Sequence, residues 1–189
     1  MTPPIPPLLA QLTSEFISLP WRTWISNLMA FLHSTAPKYG AIRKITDQNI
    51  GTLSAAWHNI TLYQTLGYGG NSEGIIYNLT DGDIGVISAG PYQVIVNFES
   101  SFTQDNNTSR SFQVRLFDMT DNVPVPEAAF TQYIGGYTAG TTLSVTLAGN
   151  FTKVFEGKLL RLQVGNASAD FAAFTIHACS ISLIRVTGL

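Results

Sequence analysis

Short segments in which apolar and polar residues alternate run through most of this chain and constrain its fold more than any other feature. The clearest segment is 90–98, where every second residue is apolar: Tyr92, Val94, Val96 and Phe98. Successive side chains of an extended chain point to opposite faces, so all four lie on one face. The pattern predicts a central β-strand that covers a hydrophobic core.

Similar segments follow one another after Trp57, with no helical pattern between them. The predicted strands are 57–63, 73–79, 83–88, 90–99, 110–118, 127–133, 141–148, 158–165 and 171–186. The turn signals between them are Gly-rich 67–70, Asp81-Gly82, 105–107, Pro124 with Pro126, Gly149-Asn150 and Gly165-Asn166. About eight or nine strands in succession predict an all-β fold, an antiparallel sandwich or jelly roll.

The last predicted strand contains a break in its alternation. Ile181 and Leu183 are apolar but fall on the face opposite Ile176 and Ile184. A β-bulge would explain the break, because one extra residue reverses the phase of those that follow. A subunit interface would also explain it, because apolar side chains on an outer face need cover.

Charged residues are unusually scarce, and this bears on the surface. They make up 12% of the sequence, about half of the ~25% usual in soluble domains. A monomer so poor in charge tends to associate, so we expect much of its surface to be buried between subunits. The formal net charge of −2, with no cluster of Lys and Arg, argues against a nucleic-acid partner.

The N-terminal residues have a different character. Residues 2–7 are rich in proline, which favours an extended arm and excludes a sheet interior. From Ser18 the apolar residues recur at spacings of three and four, which predicts an amphipathic helix. The residues that we assign to attachment or an interface are Pro4, Pro6, Trp21, Trp24, Ile25, Leu28 and Phe31.

Three roles are open for this helix. It could cap the β domain of its own chain, or arm and helix could dock onto a larger assembly or bundle with copies of themselves. A membrane-surface helix is the third, but such helices carry several basic residues and the polar face here has one, Arg22. We therefore expect no membrane partner. The expected domains are 1–40 for arm and helix, 41–56 for a linker, and 57–189 for the β domain.

The sequence offers little chemistry. It has no nucleophile elbow, phosphate-binding loop or zinc-protease motif, so we expect no enzyme, cofactor or metal site. Asp81-Gly82-Asp83 is predicted to be a tight turn rather than a calcium loop, since further ligands are missing. His177 is expected to be a structural or interface residue, with a pH-sensitive or metal-binding role as the alternative. Cys179, the single cysteine, is expected to be an inert buried thiol.

The β domain resembles the C1q/TNF-like jelly roll over 57–189. The resemblance rests on Trp57, Gly90-Pro91-Tyr92-Gln93-Val94, Gly157-Lys158-Leu159-Leu160-Arg161-Leu162 and the closing segment 174–186. Domains of this family are typically compact homotrimers, so the resemblance implies self-association about a threefold axis. Ile181 and Leu183 are then candidates for the trimer interface.

The segment Leu19-Pro20-Trp21-Arg22-Thr23-Trp24-Ile25 is similar to the leading segments of small virion proteins of tailed bacteriophages. Together the two resemblances imply a non-enzymatic homotrimer of a phage head decoration, head fibre or tail fibre. Its partners would be itself and other virion proteins, and it would be made in the cytoplasm of a bacterial host and located in the virion.

A second interpretation is a carbohydrate- or host-receptor-binding module. Tyr68 and Tyr137 stand beside Gly-rich turns, where exposed aromatic rings could stack on the sugars of a host surface glycan.

Overall fold

A computed structural model describes residues 23–29, 39–44, 46–65, 74–103 and 108–186. The chain divides into two compact units, Met1–Pro37 and Lys38–Leu189. In the first unit the described residues form one helix, α1, over 23–29. Trp24 and Leu28, four residues apart and therefore on one side of the helix, are half-buried, whereas Ile25 and Met29 are exposed.

The second unit consists of β-strands. They are β1 (Tyr39–Lys44), β2 (Gln48–Leu53), β3 (His58–Asn59), β4 (Gln64–Thr65), β5 (Ile75–Asn78), β6 (Asp83–Val86), β7 (Gly90–Thr103), β8 (Arg110–Asp118), β9 (Val123–Ile134), β10 (Thr142–Phe155), β11 (Lys158–Gly165) and β12 (Phe171–Arg185). All the recorded strand pairs are antiparallel.

The strands form two sheets. Sheet 1 has the order β10-β7-β12-β1-β4, with β2 also paired to β12; sheet 2 has the order β5-β6-β11-β8-β9, with β3 paired to β11. The late strand β12 lies between β7 and β1, and β11 lies between β8 and β6. This interleaving of early and late strands is the wrapping of a jelly roll, so the predicted all-β antiparallel fold is confirmed.

The core lies between the sheets and contains the residues that the alternation predicted. Tyr92, Val94, Val96 and Phe98 of β7 are all buried. An aromatic cluster fills one end of the core and consists of Phe102, Phe112, Phe171 and Phe174. The Phe112 and Phe174 rings meet edge to face with centroids 5.2 Å apart, and Phe102 stacks on Phe174 at 5.9 Å. Both geometries are favourable for aromatic pairs.

The linker predicted for 41–56 is wrong. Its residues supply most of β1 and all of β2, which pair with the two halves of β12. Ile42 and Leu53 are fully buried, but Lys44 occupies the next core-facing position of β1 and hides the alternation. Its amino group is accommodated because it donates a hydrogen bond of 2.8 Å to the Thr61 carbonyl oxygen. Trp57 therefore does not open the first strand of the domain.

Two predicted turns are also wrong, because strands run through them. Pro124 and Pro126 lie in β9, which forms the edge of sheet 2. An edge strand tolerates proline, since the missing N–H can be one that faces solvent. Gly149 lies within β10, and a Cβ there would stand 2.2 Å from the Phe130 ring. This glycine thus makes room for an aromatic side chain of β9 and does not mark a turn.

The break in the last strand is a bulge. Ile176 pairs with Ser100 and Ala178 pairs with Glu99, so His177 is the extra residue between them. After it, Ile181 and Leu183 point into the core and are both 0% exposed. Their assignment to a trimer interface is therefore wrong, since a side chain without exposed surface cannot contact another subunit.

The aromatic cluster generates a prediction about stability. Phe174→Ala removes a fully buried ring that contacts three others, so we expect a loss of about 3–5 kcal/mol in the free energy of unfolding. Ile87→Ala is the matched control, because Ile87 is 59% exposed. This substitution should change the free energy of unfolding by no more than about 0.5 kcal/mol. Urea denaturation followed by tryptophan fluorescence measures both, and equal losses would contradict the assigned core.

Candidate self-association surface

The outer face of sheet 1 carries little charge, and its one outward cation within the described strands is Arg43 of β1, which pairs with Ser180 of β12. Strand pairing and burial show which side chains of β7, β10 and β12 point away from the core. At these outward positions, all of which the structure describes, Glu99 is the one carboxylate and there is no Lys or Arg. The remainder are serine, threonine, asparagine, glutamine, alanine, isoleucine, valine, proline and His177. The outer face of sheet 1 over β7, β10 and β12 is thus one place where the low charge content of the sequence is visible.

One end of this face is apolar. We call it the apolar end and define it by Tyr39, Ile95, Val154 and Ile184. Tyr39 pairs directly with Ile184 across β1 and β12, and the two side chains are 43% and 39% exposed. Ile95 lies in the next row, where it pairs with Ser182. Adjacent apolar side chains on the outside of a sheet are typical of a surface that another protein covers.

The edge strand next to this face is unprotected. β10 runs for 14 residues along the edge of sheet 1 and carries one charged residue, Lys153, and no proline. The edge strand β9 of sheet 2 contains Pro124, Pro126 and Glu127, which disfavour pairing with another strand. Proteins usually block long exposed edges in that way. The contrast indicates that β10 is the edge left available for contact.

Apolar side chains also line the rim between the two edge strands. Phe130 of β9 and Phe151 of β10 lie with ring centroids 6.1 Å apart and are half-buried. Leu143 and Val145 of β10 are half-buried beside them. The sandwich is therefore incompletely closed along this side, and a neighbour seated against β10 would remove these groups from water.

An open groove lies where this rim meets the loop after β9. It has a volume of about 180 Å³ and is lined by Gln132, Tyr133, Ile134, Gly135, Tyr137, Leu143, Ser144 and Val145. Tyr137, a predicted glycan contact, lies in it beside Tyr133, which is 77% exposed. The other predicted contact, Tyr68, lies outside the described residues, so its role stays a prediction.

Only some of the residues predicted for attachment lie in the part of the chain that the structure describes. Trp24, Ile25 and Leu28 belong to α1, whereas the remaining ones lie outside the described residues: Pro4, Pro6, Trp21 and Phe31. The sequence prediction missed Tyr39 and Ile184. Tyr39 fell at the end of the segment 1–40 assigned to arm and helix, and Ile184 was placed on the same face as Ile176, with the bulge left as one of two explanations of the break.

The titratable groups beneath this face are structural. Burial raises the pKa of the Cys179 thiol to about 12, and Tyr63 donates a hydrogen bond of 3.3 Å to its sulfur. The thiol is therefore protonated at neutral pH and unreactive, as predicted. Burial lowers the pKa of Lys44 nearby.

The Asp81-Gly82 segment is a turn, as predicted. The Gly82 amide donates to the Asn78 carbonyl oxygen at 2.9 Å. The next residue, Asp83, accepts two hydrogen bonds from Arg161 at 2.6 and 2.8 Å, so its carboxylate is occupied by that pair. Within the described segments no group of three or more metal-ligating side chains occurs. Likewise, the described helix is too short to cross a membrane.

Neither a family model nor a curated protein matches the chain in sequence. Several solved structures resemble it in shape. Eiger TNF from S. frugiperda is 12% identical, with a TM-score of 0.49 over 80% of this chain and 95% of that one. Murine APRIL is also 12% identical, with TM-scores of 0.47 at pH 5.0 and 0.45 at pH 8.0, over 79% of this chain and 100% of that one.

With TM-scores below 0.5, these similarities assign the chain to no family. The order and pairing of the strands define its class, which is an antiparallel jelly-roll sandwich.

Proposed function

We propose that the chain is a structural protein of a tailed-bacteriophage particle that acts by binding. It forms a homotrimer through its jelly roll, and residues 1–40 attach it to other virion proteins as a head decoration, head fibre or tail-fibre component. It is made in the cytoplasm of the bacterial host and works in the virion.

The observation that carries the self-association is the unprotected edge β10 beside a face that holds one carboxylate, Glu99. A polar face with few charges is cheap to desolvate, because hydroxyl and amide groups can pair across an interface. The apolar end and the rim supply the burial that drives association. A heterologous contact of edge against face closes into a ring when its rotation is one third of a turn.

The attachment role is supported by the division of the chain. Met1–Pro37 forms a compact unit of its own. The phage setting rests on the likeness of residues 19–25 to the leading segments of virion proteins.

We expect the purified chain to have a molar mass three times its 20.5 kDa in solution. Ile184→Lys places a charge in the apolar end without touching the core, because Ile184 points outward. This variant should dissociate at a protein concentration at least about tenfold higher than the wild type. Because the dissociation constant of a trimer scales with the square of the concentration, this shift corresponds to about 2.8 kcal/mol per trimer. Light scattering over a dilution series measures both.

Ile87→Lys is the matched control for that experiment. It introduces the same charge at another exposed isoleucine, which lies next to β6 of sheet 2, and should leave the mass unchanged. A wild-type chain that stays monomeric at high concentration would refute the trimer. Equal dissociation by the two variants would refute the assigned face.

Deletion of residues 2–35 should leave the jelly roll folded and self-associated but abolish its attachment to particles. The reason is that the deleted residues belong to the separate first unit. Circular dichroism and light scattering report on fold and assembly, and co-sedimentation with particles lacking the protein reports on attachment. Loss of folding would show that these residues belong to the core of the domain.

A second candidate function, glycan binding, is favoured by the groove at Tyr133 and Tyr137. Two exposed tyrosines beside Gln132 and Ser144 offer ring faces and polar groups, which sugars require. If this function holds, a glycan array should show specific binding that is lost in Tyr137→Ala and kept in Tyr39→Ala, a tyrosine outside the groove. An array without specific binding by the wild type would exclude it.

A further inference from the structure

A serine, a histidine and an aspartate form a hydrogen-bonded chain at the end of sheet 1 opposite the apolar end. The Ser101 hydroxyl oxygen lies 2.7 Å from His177 Nε2, and His177 Nδ1 lies 3.1 Å from Asp47 Oδ1. The residues come from β7, from β12 and from the segment between β1 and β2. We call this chain of contacts the relay.

The order of the contacts gives the relay a direction. An aspartate that accepts from Nδ1–H holds the imidazole in the tautomer whose Nε2 has a free lone pair. That nitrogen then accepts the hydrogen bond that the Ser101 hydroxyl donates. This is the arrangement in which a serine is activated as a nucleophile, and it is recognised by geometry and not by sequence position.

The fold places these groups through an irregularity. His177 is the extra residue of the bulge in β12, so it does not follow the regular alternation and its ring reaches across to Ser101 of β7. Bulges often redirect a side chain next to an active site. The His177 side chain is 35% exposed and that of Asp47 is 65% exposed, so the relay is open to a small molecule.

Polar groups and a depression surround the serine. Ser101 pairs with Ser144 of β10 and with Thr175 of β12. Directly opposed side chains in a sheet have Cβ atoms about 5 Å apart, so two hydroxyl donors flank the nucleophile. A depression of about 340 Å³ begins at Glu99 and Ala178, next to the relay along β7 and β12, and Arg43 and Lys44 of β1 also line it.

We propose that Ser101 is an activated nucleophile that accepts an acyl group from an ester of a short-chain carboxylic acid. Ser101 Oγ attacks the ester carbonyl, and its proton passes to His177 Nε2. The new Oγ–carbon bond forms as the bond to the alcohol breaks, and His177 returns the proton to the departing alcohol. Water then releases the acid by the same steps in reverse.

Asp47 is a positioning residue in this scheme, because it contacts the imidazole and not the ester. The activity adds to the structural role and does not depend on it. On β12 the relay lies seven residues from Ile184, or about 20 Å along the strand, so the apolar end can be covered while Ser101 stays accessible.

The test is acylation of the full chain by p-nitrophenyl acetate, with release of p-nitrophenol and the intact mass both recorded. We expect a burst of one p-nitrophenol per chain and, in samples quenched during the burst, one acetyl group per chain, located on Ser101 by peptide mapping. His177→Ala should slow acylation by about 100-fold or more. Asp47→Ala should also slow it, and Asp47→Glu should restore part of the rate.

Ser182→Ala is the matched control, since it removes a serine from the same face of β12 and should change neither the rate nor the site. Circular dichroism of each variant shows whether it is folded. Acylation spread over lysines, or a folded Ser101→Ala variant that reacts at the wild-type rate, would overturn the proposal. A trimer without acetyl-Ser101 would refute the relay alone, and an acylated monomer would refute the assembly alone.

Discussion

The insertion of β12 between β7 and β1 is the constraint on which the rest of the structure depends. This one strand pairs with β7 along most of its length and with β1 and β2 on its other side, so it joins both halves of sheet 1. Its bulge at His177 sets the phase of everything beyond it. Without the extra residue, Ile181 and Leu183 would point to solvent, because a shift of one residue exchanges the two faces of a strand.

The sequence predicted the strands whose alternation is complete. β8 and β11 have the predicted bounds, since both lie inside sheet 2 and have one face fully on the core. β1 and β2 were missed because Lys44 takes a core-facing position and because few of their residues reach the core. A lysine can stand there only because of its bond to the Thr61 carbonyl oxygen, which sequence does not show. Where the local sequence pattern was weak, tertiary contacts therefore determined which segments form strands.

The sequence predicted that the protein has a surface that associates, but it did not predict which face of the fold forms that surface. Scarcity of charge predicted a surface that associates, yet a serine or threonine facing a partner looks the same in sequence as one facing water. Only the register of β7, β10 and β12 showed that these residues share one face. The error over Ile181 and Leu183 has the same origin, because one inserted residue changes no composition and little periodicity.

Sheet 1 divides its outer face between two kinds of surface, and the bulge accounts for the division. At the apolar end the strands pair regularly, which aligns Tyr39 and Ile184 into a patch. At the other end the bulge disturbs the pairing of β12 with β7 and turns His177 toward Ser101 and Asp47. These three residues lie far apart in the chain and form no motif, so the lack of catalytic motifs could not exclude them. The bulge is needed to bury Ile181 and Leu183 in the core. The same bulge creates a contact between a histidine, a hydroxyl and a carboxylate, and among the described residues of this face it is the one such contact.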